Sequence, residues 1–372
     1  DKAFFDLIIL NPPYMNYGLR NAQKYDKEFR NFLRNRFFSA EYKLSLYPIF
    51  MERSIELLKD QGILGIITPD SHLLGRFYSK IRSYLLQNTN ILDISLLGFE
   101  PFSGVTLGRP TITFLKKTLS SQEHAFNVRW IPSFSSFVEE KWKEYSNNQD
   151  EFSSSFHNRF HLFFNQQDEE FVKDWKNKSS KLIQDIVSIH TGIRSKIGQK
   201  NIISKTKKSH TWKKGIISSS QVKPFFLDNQ NHWINVEPSI LWAGGFKKEV
   251  NENPKLLVRQ TGYQIVTCVD LDGFYHLNNC HSISPRSKET NLFSLATILN
   301  STEFNRLYHI LSMEKGRALA QVDIEFLIKL PIPSFTKEGE KKLEDFYWMK
   351  NKTAMKDDSF VSYSLFNLFE KT

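Results

Sequence analysis

A nearly unbroken apolar run, Phe4-Phe5-Asp6-Leu7-Ile8-Ile9-Leu10, stops at Asn11-Pro12-Pro13-Tyr14. A run this short and this apolar reads as a strand buried on both faces, the pattern of a parallel sheet covered by helices. The prolines end it, because neither can donate to a sheet ladder and each fixes φ at about −65°. The expected fold is therefore α/β. Open α/β sheets place their ligand sites at the carboxyl ends of strands, which is where this tetrapeptide stands.

The next hundred residues keep the alternation. Leu44, Tyr47, Phe50, Met51, Ile55 and Leu58 recur at helical spacing over 41–59, with Gly62 as the expected stop. Residues 62–68 repeat the buried-strand pattern, and Pro69-Asp70-Ser71 is a helix-start signal. Ile81, Leu85 and Leu86 give the next helix its apolar side, 91–97 reads as a third strand, and 110–115 as a fourth, after a loop through Phe99, Phe102 and Gly104. Strands alternating with helices predict a mainly parallel sheet with right-handed crossovers.

Between about 120 and 177 the pattern loosens into polar sequence with scattered aromatics, as expected of a linker or insertion. Beyond it come short strand-like runs at 255–259 and 263–267, a hairpin signal at Asp272-Gly273, and a helix near 292–311. The expected domains are 1–119, a partial α/β domain; 120–180, a linker or insertion; 181–335, a mixed, β-rich domain; and 336–372, a helical tail.

The chain of 372 residues carries a formal charge of +10, which favours a polyanionic partner. Placement says more than the total. Residues 186–227 hold no carboxylate, yet include Arg194, Lys196, Lys200, Lys205, Lys207, Lys208, Lys213, Lys214 and Lys223, an electrostatic footprint for phosphates. His210 and Trp212 lie among them and are candidates to reach a groove or a stacked base. Two cysteines, Cys268 and Cys280, are too few for a disulfide framework and are expected as free thiols of a cytoplasmic protein. No run approaches the roughly 20 apolar residues of a membrane span, so no membrane partner is expected. The histidines and carboxylates show no metal-ligand spacing, Pro69-Asp70 with Glu139-Glu140-Lys141 is set aside as a nuclease site, and Asp270-Leu271-Asp272-Gly273 lacks the remaining ligands of a calcium loop.

Asn-Pro-Pro-Tyr at a strand end has a chemical use. An exocyclic amino group on a nucleobase is a poor nucleophile because its lone pair is delocalised into the ring. The Asn11 side-chain oxygen and the Pro12 carbonyl can each accept one of its hydrogens, freeing the lone pair for attack on a methyl donor. The prolines hold this backbone rigid, as preorganised catalysis requires. Tyr14 offers a stacking face for a base taken out of its duplex.

The tetrapeptide and the motifs after it resemble the TaqI-type adenine-specific DNA methyltransferases and their fused restriction relatives. The order carries the resemblance. After Asn11 to Tyr14 come Tyr47-Pro48-Ile49-Phe50-Met51-Glu52-Arg53, Leu57-Leu58-Lys59-Asp60-Gln61-Gly62, the run to Pro69, Leu85-Leu86 and the strand at Ile91. Phe102 and Val105 then precede Thr111-Ile112-Thr113-Phe114-Leu115. Lys223-Pro224-Phe225, residues 254–262, Leu299-Asn300-Ser301 and residues 330–333 are similar to the family's target-recognition domain.

The resemblance implies the C-terminal part of a Rossmann-like methyltransferase sheet followed by a β-rich DNA target-recognition domain. It implies methyl transfer from S-adenosylmethionine to a flipped adenine, with double-stranded DNA as partner, and it assigns Phe102 to the face of that adenine, with Phe99 as rival. The segments that hold the cofactor in this family precede the catalytic tetrapeptide. They are expected from a missing N-terminal segment or subunit, and the chain alone is expected to methylate little. Two other functions fit the same residues: a non-catalytic DNA-specificity module, or an amino-methyltransferase acting on protein or RNA.

Overall fold

The computed structural model describes residues 3–14, 26–41, 44–102, 108–118, 124–242, 247–313, 320–354 and 363–365. Gly104, Val105, Asp1 and the glycines of 243–246 lie outside the described residues. Two compact units divide the chain, Asp1–Glu170 and Phe171–Thr372.

In the first unit six strands form one sheet in the order β1-β2-β4-β3-β5-β6: β1 (Phe5–Leu10), β2 (Leu58–Pro69), β3 (Thr89–Leu97), β4 (Pro110–Lys117), β5 (Ala125–Ile131) and β6 (Lys143–Asn148). The pairs β1/β2 and β3/β5 are parallel. Strand β4 runs antiparallel between β2 and β3, and β6 runs antiparallel to β5. The sheet is thus mixed where a mainly parallel one was expected. The sequence between β3 and β4 carries no helix among its described residues, and β4 enters the sheet beside β3 in the reversed direction. Residues 125–148, read from sequence as linker or insertion, supply β5 and β6.

Helices α1 (Lys27–Arg36), α2 (Leu46–Leu57), α3 (Ser71–Leu74) and α4 (Ser79–Asn88) alternate with the first strands. Asp26 caps α1 through a 2.7 Å hydrogen bond from the Phe29 amide. Helix α2 ends at Leu57 rather than at Gly62, because Leu58 already pairs with Phe5 and starts β2. Ile49, Met51 and Ile55 of α2 and Ile81 and Leu85 of α4 are buried, as are Leu64, Ile66, Ile91, Ile94, Leu115 and Val128 of the strands. Burying side chains of this size contributes about 1.5–3 kcal/mol each. Buried Glu52 accepts the amides of Phe38 and Ser39 at 2.9 and 2.7 Å. Arg82, also buried, donates to the carbonyls of His72, Gly75 and His157. Helices α5 (Phe134–Val138), α6 (Asp150–Ser153) and α7 (Gln166–Asn177) come next along the chain.

A further expectation for this unit fails. Strand β1 is not buried on both faces: Phe4, Phe5, Leu7 and Ile9 are exposed, Ile9 at 74%. It is an edge strand, bonded on one side only among the described residues.

The second unit holds an antiparallel sheet in the order β15-β14-β17-β8, built from β8 (Val187–Thr191), β14 (Lys255–Arg259), β15 (Thr267–Asp270) and β17 (Cys280–Pro285). A second sheet, in the order β16-β10-β13-β9, is built from β9 (Ile203–Ser204), β10 (Trp212–Ile216), β13 (His232–Asn235) and β16 (Tyr275–His276). Small pairs join β7 (Ser179–Leu182) to β18 (Pro331–Pro333) and β11 (Val222–Lys223) to β12 (Phe226–Leu227). The short helices α8 (Ile183–Ile186), α9 (Lys248–Glu252) and α12 (Ile324–Leu327) belong to this unit as well.

The hairpin expected at Asp272-Gly273 does not form, since β15 pairs with β14 while β16 joins β10 in the other sheet. The buried Asp270 carboxylate collects the amides of Asp272, Gly273 and Phe274 at 2.9–3.0 Å and the Lys255 ammonium at 2.5 Å, and the chain leaves the sheet there. The helix expected near 292–311 is two helices, α10 (Leu292–Asn300) and α11 (Thr302–Ser312), because Ser301 takes an extended backbone and caps the second. Helix α13 (Lys337–Ala354), read from sequence as a tail, packs on α10: Thr297 and Ser294 donate to the carbonyls of Leu343 and Glu340. Cys268 and Cys280 are buried free thiols.

Candidate nucleobase site and basic face

Strands β1, β2, β3 and β5 point the same way, so their carboxyl ends line one sheet edge. Leu10 pairs with Ile66, which sets Asn11 to Tyr14 beside the last turn of β2. There Asn11 is exposed, Pro12 buried, Pro13 exposed and Tyr14 half-buried. The Tyr14 hydroxyl donates to the Ile67 carbonyl at 3.1 Å. Burial raises the pKa of this phenol, so it stays neutral and keeps that donor. The tetrapeptide thus presents an amide side chain to solvent on a backbone stiffened by two prolines and tied across to β2.

Phe102 lies beyond the carboxyl end of β3 on the same sheet edge and is 39% exposed. Phe99 packs edge-on against Phe134 and lies beside Phe137, with centroids 5.8 and 6.2 Å away. Of the two rivals, Phe102 has the more open ring.

Just past the end of β2 lies a histidine that sequence reasoning did not single out. Buried His72 donates from Nδ1 to the Pro69 carbonyl at 2.9 Å, and burial drives its pKa down to about 4. The Tyr47 hydroxyl shares a 2.9 Å hydrogen bond with Ser71, and its ring stacks on Tyr78. The only prior signal was polar residues directly after a buried strand.

In the second unit the carboxylate-free stretch runs through β9 and β10. Arg194, Lys196, Lys200, Lys205, Lys207, Lys208 and Lys214 are exposed, while Lys213 and Lys223 are half-buried. Lys213 reaches Glu252 at 4.0 Å, which partly neutralises it. Trp212, expected to reach a groove, is only 6% exposed. Its ring is buried, with Lys208 5.0 Å above it. Tryptophans not picked out from sequence sit closer to solvent: Lys207 lies 5.7 Å over Trp233, and Lys196 5.9 Å over Trp242, which is 58% exposed. An exposed indole between lysines offers stacking and cation–π contacts to a nucleic acid.

The first unit thus has a six-stranded sheet with its reversed strand inside and an Asn-Pro-Pro-Tyr at a strand end, and the second is β-rich with a basic face. Residues 1–102 match the family model of the Eco57I restriction-modification methylases, and residues 214–332 match that of the TaqI-like C-terminal specificity domain; these two regions belong to those families.

The type II methyltransferase M.BstVI of Geobacillus stearothermophilus is 31% identical over 113 residues, covering 30% of this chain and 19% of that protein. The type II methyltransferase M.TthHB8I of Thermus thermophilus is 31% identical over 116 residues, covering 30% of this chain and 26% of the relative. The type II restriction enzyme and methyltransferase RM.Eco57I of Escherichia coli is 34% identical over 94 residues, 25% of this chain and 9% of its own length. The matched stretch is thus a minor part of each relative. Among solved structures, the type IIL restriction-modification enzyme MmeI in complex with DNA shares the fold with a TM-score of 0.58, at 10% identity over 95% of this chain and 50% of that one. The type ISP restriction-modification enzyme LlaGI gives 0.54, at 11% identity over 92% of this chain and 34% of that one.

Proposed function

We propose that this chain is the catalytic-motif and target-recognition part of an adenine-specific DNA methyltransferase of a restriction-modification or phage-defence system. One observation carries the reading: the exposed Asn11 and the buried Pro12 stand at a strand end, with Tyr14 anchored to β2 and the exposed Phe102 ring on the same sheet edge. The Asn11 side-chain oxygen and the Pro12 carbonyl accept the two hydrogens of the adenine amino group. That arrangement turns the nitrogen lone pair out of the ring system and toward an electrophile. Tyr14 and Phe102 hold the extruded base by its faces. S-adenosylmethionine, when bound, supplies the electrophilic methyl group.

The exposed Asn11 stands at the end of the open edge of β1, which fits a methyl donor held from that side. No residue of this chain is assigned to the donor. The uncovered apolar side chains of β1 support a cofactor-binding segment or subunit that packs there. In the second unit the exposed lysines from Lys196 to Lys214 contact phosphates of double-stranded DNA, and the neighbouring indoles add stacking surface.

The test is Asn11→Ala in the chain joined to its cofactor-binding segment, read as tritiated methyl incorporated into adenine and, separately, as DNA affinity. Turnover is expected to vanish and affinity to persist. Methylation that survives the substitution removes Asn11 as the amino-group acceptor and leaves the DNA-specificity module as the better reading. Full activity of the chain without any added segment would overturn the division of the site between two segments.

A further inference from the structure

At 58%, Trp242 is the most exposed tryptophan among the described residues. It belongs to a short antiparallel ribbon. Ser195 faces Leu241 across a β-bridge, the Trp242 amide donates to the Arg194 carbonyl at 2.9 Å, and the Lys196 amide donates to the Ile240 carbonyl at 2.8 Å. Side chains alternate along such a ribbon, and opposed residues share a face. Ile193 and Leu241 are buried in one apolar cluster, so Arg194, Lys196 and Trp242 stand on the other face, where all three are exposed. The Lys196 ammonium donates to the Ser239 carbonyl at 3.2 Å and lies 5.9 Å over the Trp242 ring. Trp212 and Trp233, by contrast, are buried and half-buried under Lys208 and Lys207.

The inner side of the ribbon is tied down. The Ile193 amide donates to the His276 carbonyl at 2.9 Å, and the Ile193 carbonyl accepts the Asn278 amide at 3.2 Å. The Gln199 side chain accepts the Ser195 amide at 3.1 Å and donates to the Ile193 carbonyl at 3.1 Å and the Asn278 side chain at 2.7 Å. A Cβ at Gly192 would stand 2.1 Å from the Leu277 carbonyl oxygen, so only glycine allows this approach. The first segment of the ribbon holds no carboxylate; that of the second, Glu237, is half-buried and accepts the Ser239 hydroxyl at 3.5 Å. We propose that Trp242 is a wedge, stacking on a base where a step of the bound duplex has parted, with Arg194 and Lys196 on the phosphates beside it. This rests on the reading of the second unit as DNA-binding. Bases in an intact duplex cover one another's faces, so an indole reaches one only at an opened step, as wedge side chains do. Stacking tolerates any base, so the contact adds hold and favours steps that part easily, a pyrimidine followed by a purine.

The full chain is titrated with a mixed-sequence duplex, and with the same duplex carrying an abasic gap, at several salt concentrations. Wild type is expected to bind the gapped duplex more tightly, with part of its indole emission quenched. Trp242→Ala is expected to lose that preference and to bind the gapped duplex roughly five- to 150-fold more weakly, with the salt slope unchanged. Trp242→Phe keeps a ring and is expected to retain most of the affinity while losing most of the quenching. Arg194→Ala and Lys196→Ala instead lower the slope by about one unit each. Wild-type affinity and preference in Trp242→Ala overturn the proposal. So does an equal weakening on both duplexes with a lower salt slope, since the indole then serves only to hold Lys196 against a phosphate. If Trp242→Ala does not fold, Trp242→Phe decides: lost quenching supports the wedge, and wild-type quenching overturns it. A wild-type chain that binds neither duplex refutes the DNA reading of this unit and the wedge with it, whereas tight binding by both wild type and Trp242→Ala refutes the wedge alone.

Discussion

Tyr14 is proposed to work with its ring and to be held by its hydroxyl, and two substitutions separate those parts. Tyr14→Ala removes the stacking face, worth about 1–3 kcal/mol per base, which is roughly a five- to 150-fold weaker hold on the extruded adenine. Tyr14→Phe keeps the face and removes only the 3.1 Å hydrogen bond to Ile67, about 0.5–1.5 kcal/mol and at most roughly tenfold. Single-turnover methylation and 2-aminopurine fluorescence on the assembled enzyme read both. The expected order is wild type, then Phe close behind, then Ala far below. A Phe variant as damaged as Ala would show that the hydroxyl rather than the face does the work, and an undamaged Ala variant would remove Tyr14 from the base site. Because burial raises the phenol pKa above its ordinary value of 10.0, Tyr14 adds no pH dependence of its own below that value.

Two further outcomes are expected. Lys207→Ala and Lys208→Ala should each lower the salt slope of DNA binding by about one unit, with a smaller change for Lys213→Ala, whose charge Glu252 already shares; titrations at several salt concentrations measure this, and unchanged slopes take the two lysines out of the interface. His72 has a pKa of about 4 when folded against an ordinary 6.5, so the unfolded chain binds the proton first, and stability falls as pH drops from 6.5 toward 4. The slope from this group is up to about 1.4 kcal/mol per pH unit; denaturant unfolding should show it shallower in His72→Gln, and identical slopes would contradict the assignment.

The alternation of apolar runs made the sheet of the first unit legible, and Asn-Pro-Pro-Tyr marked its candidate site, because strand periodicity and proline chemistry act locally. What stayed hidden was non-local. The reversed β4 has the same residue pattern as a parallel buried strand, and only its neighbours give its direction. Asp70 reads as a helix cap in sequence, and its actual partner lies 39 residues away. Asp272-Gly273 carries a hairpin signature, but the buried Asp270 carboxylate, paired with Lys255, accepts the turn's amides and the two flanking strands join different sheets. Trp212 looked available among its lysines because exposure is a tertiary property, and its ring is buried at the start of β10.

The strand that presents the proposed acceptors is also an exposed edge of its sheet. Phe4, Phe5, Leu7 and Ile9 are exposed, and among the described residues one side of the β1 backbone has no ladder. Segments with few buried contacts open at low free energy, so amide hydrogens of β1 should exchange faster than those of β2 or β3 until that edge is covered. Order at the proposed acceptors then depends on what covers that edge of the sheet. Left bare, the same edge is a template for pairing with another chain, so β1 is where self-association of this chain would begin.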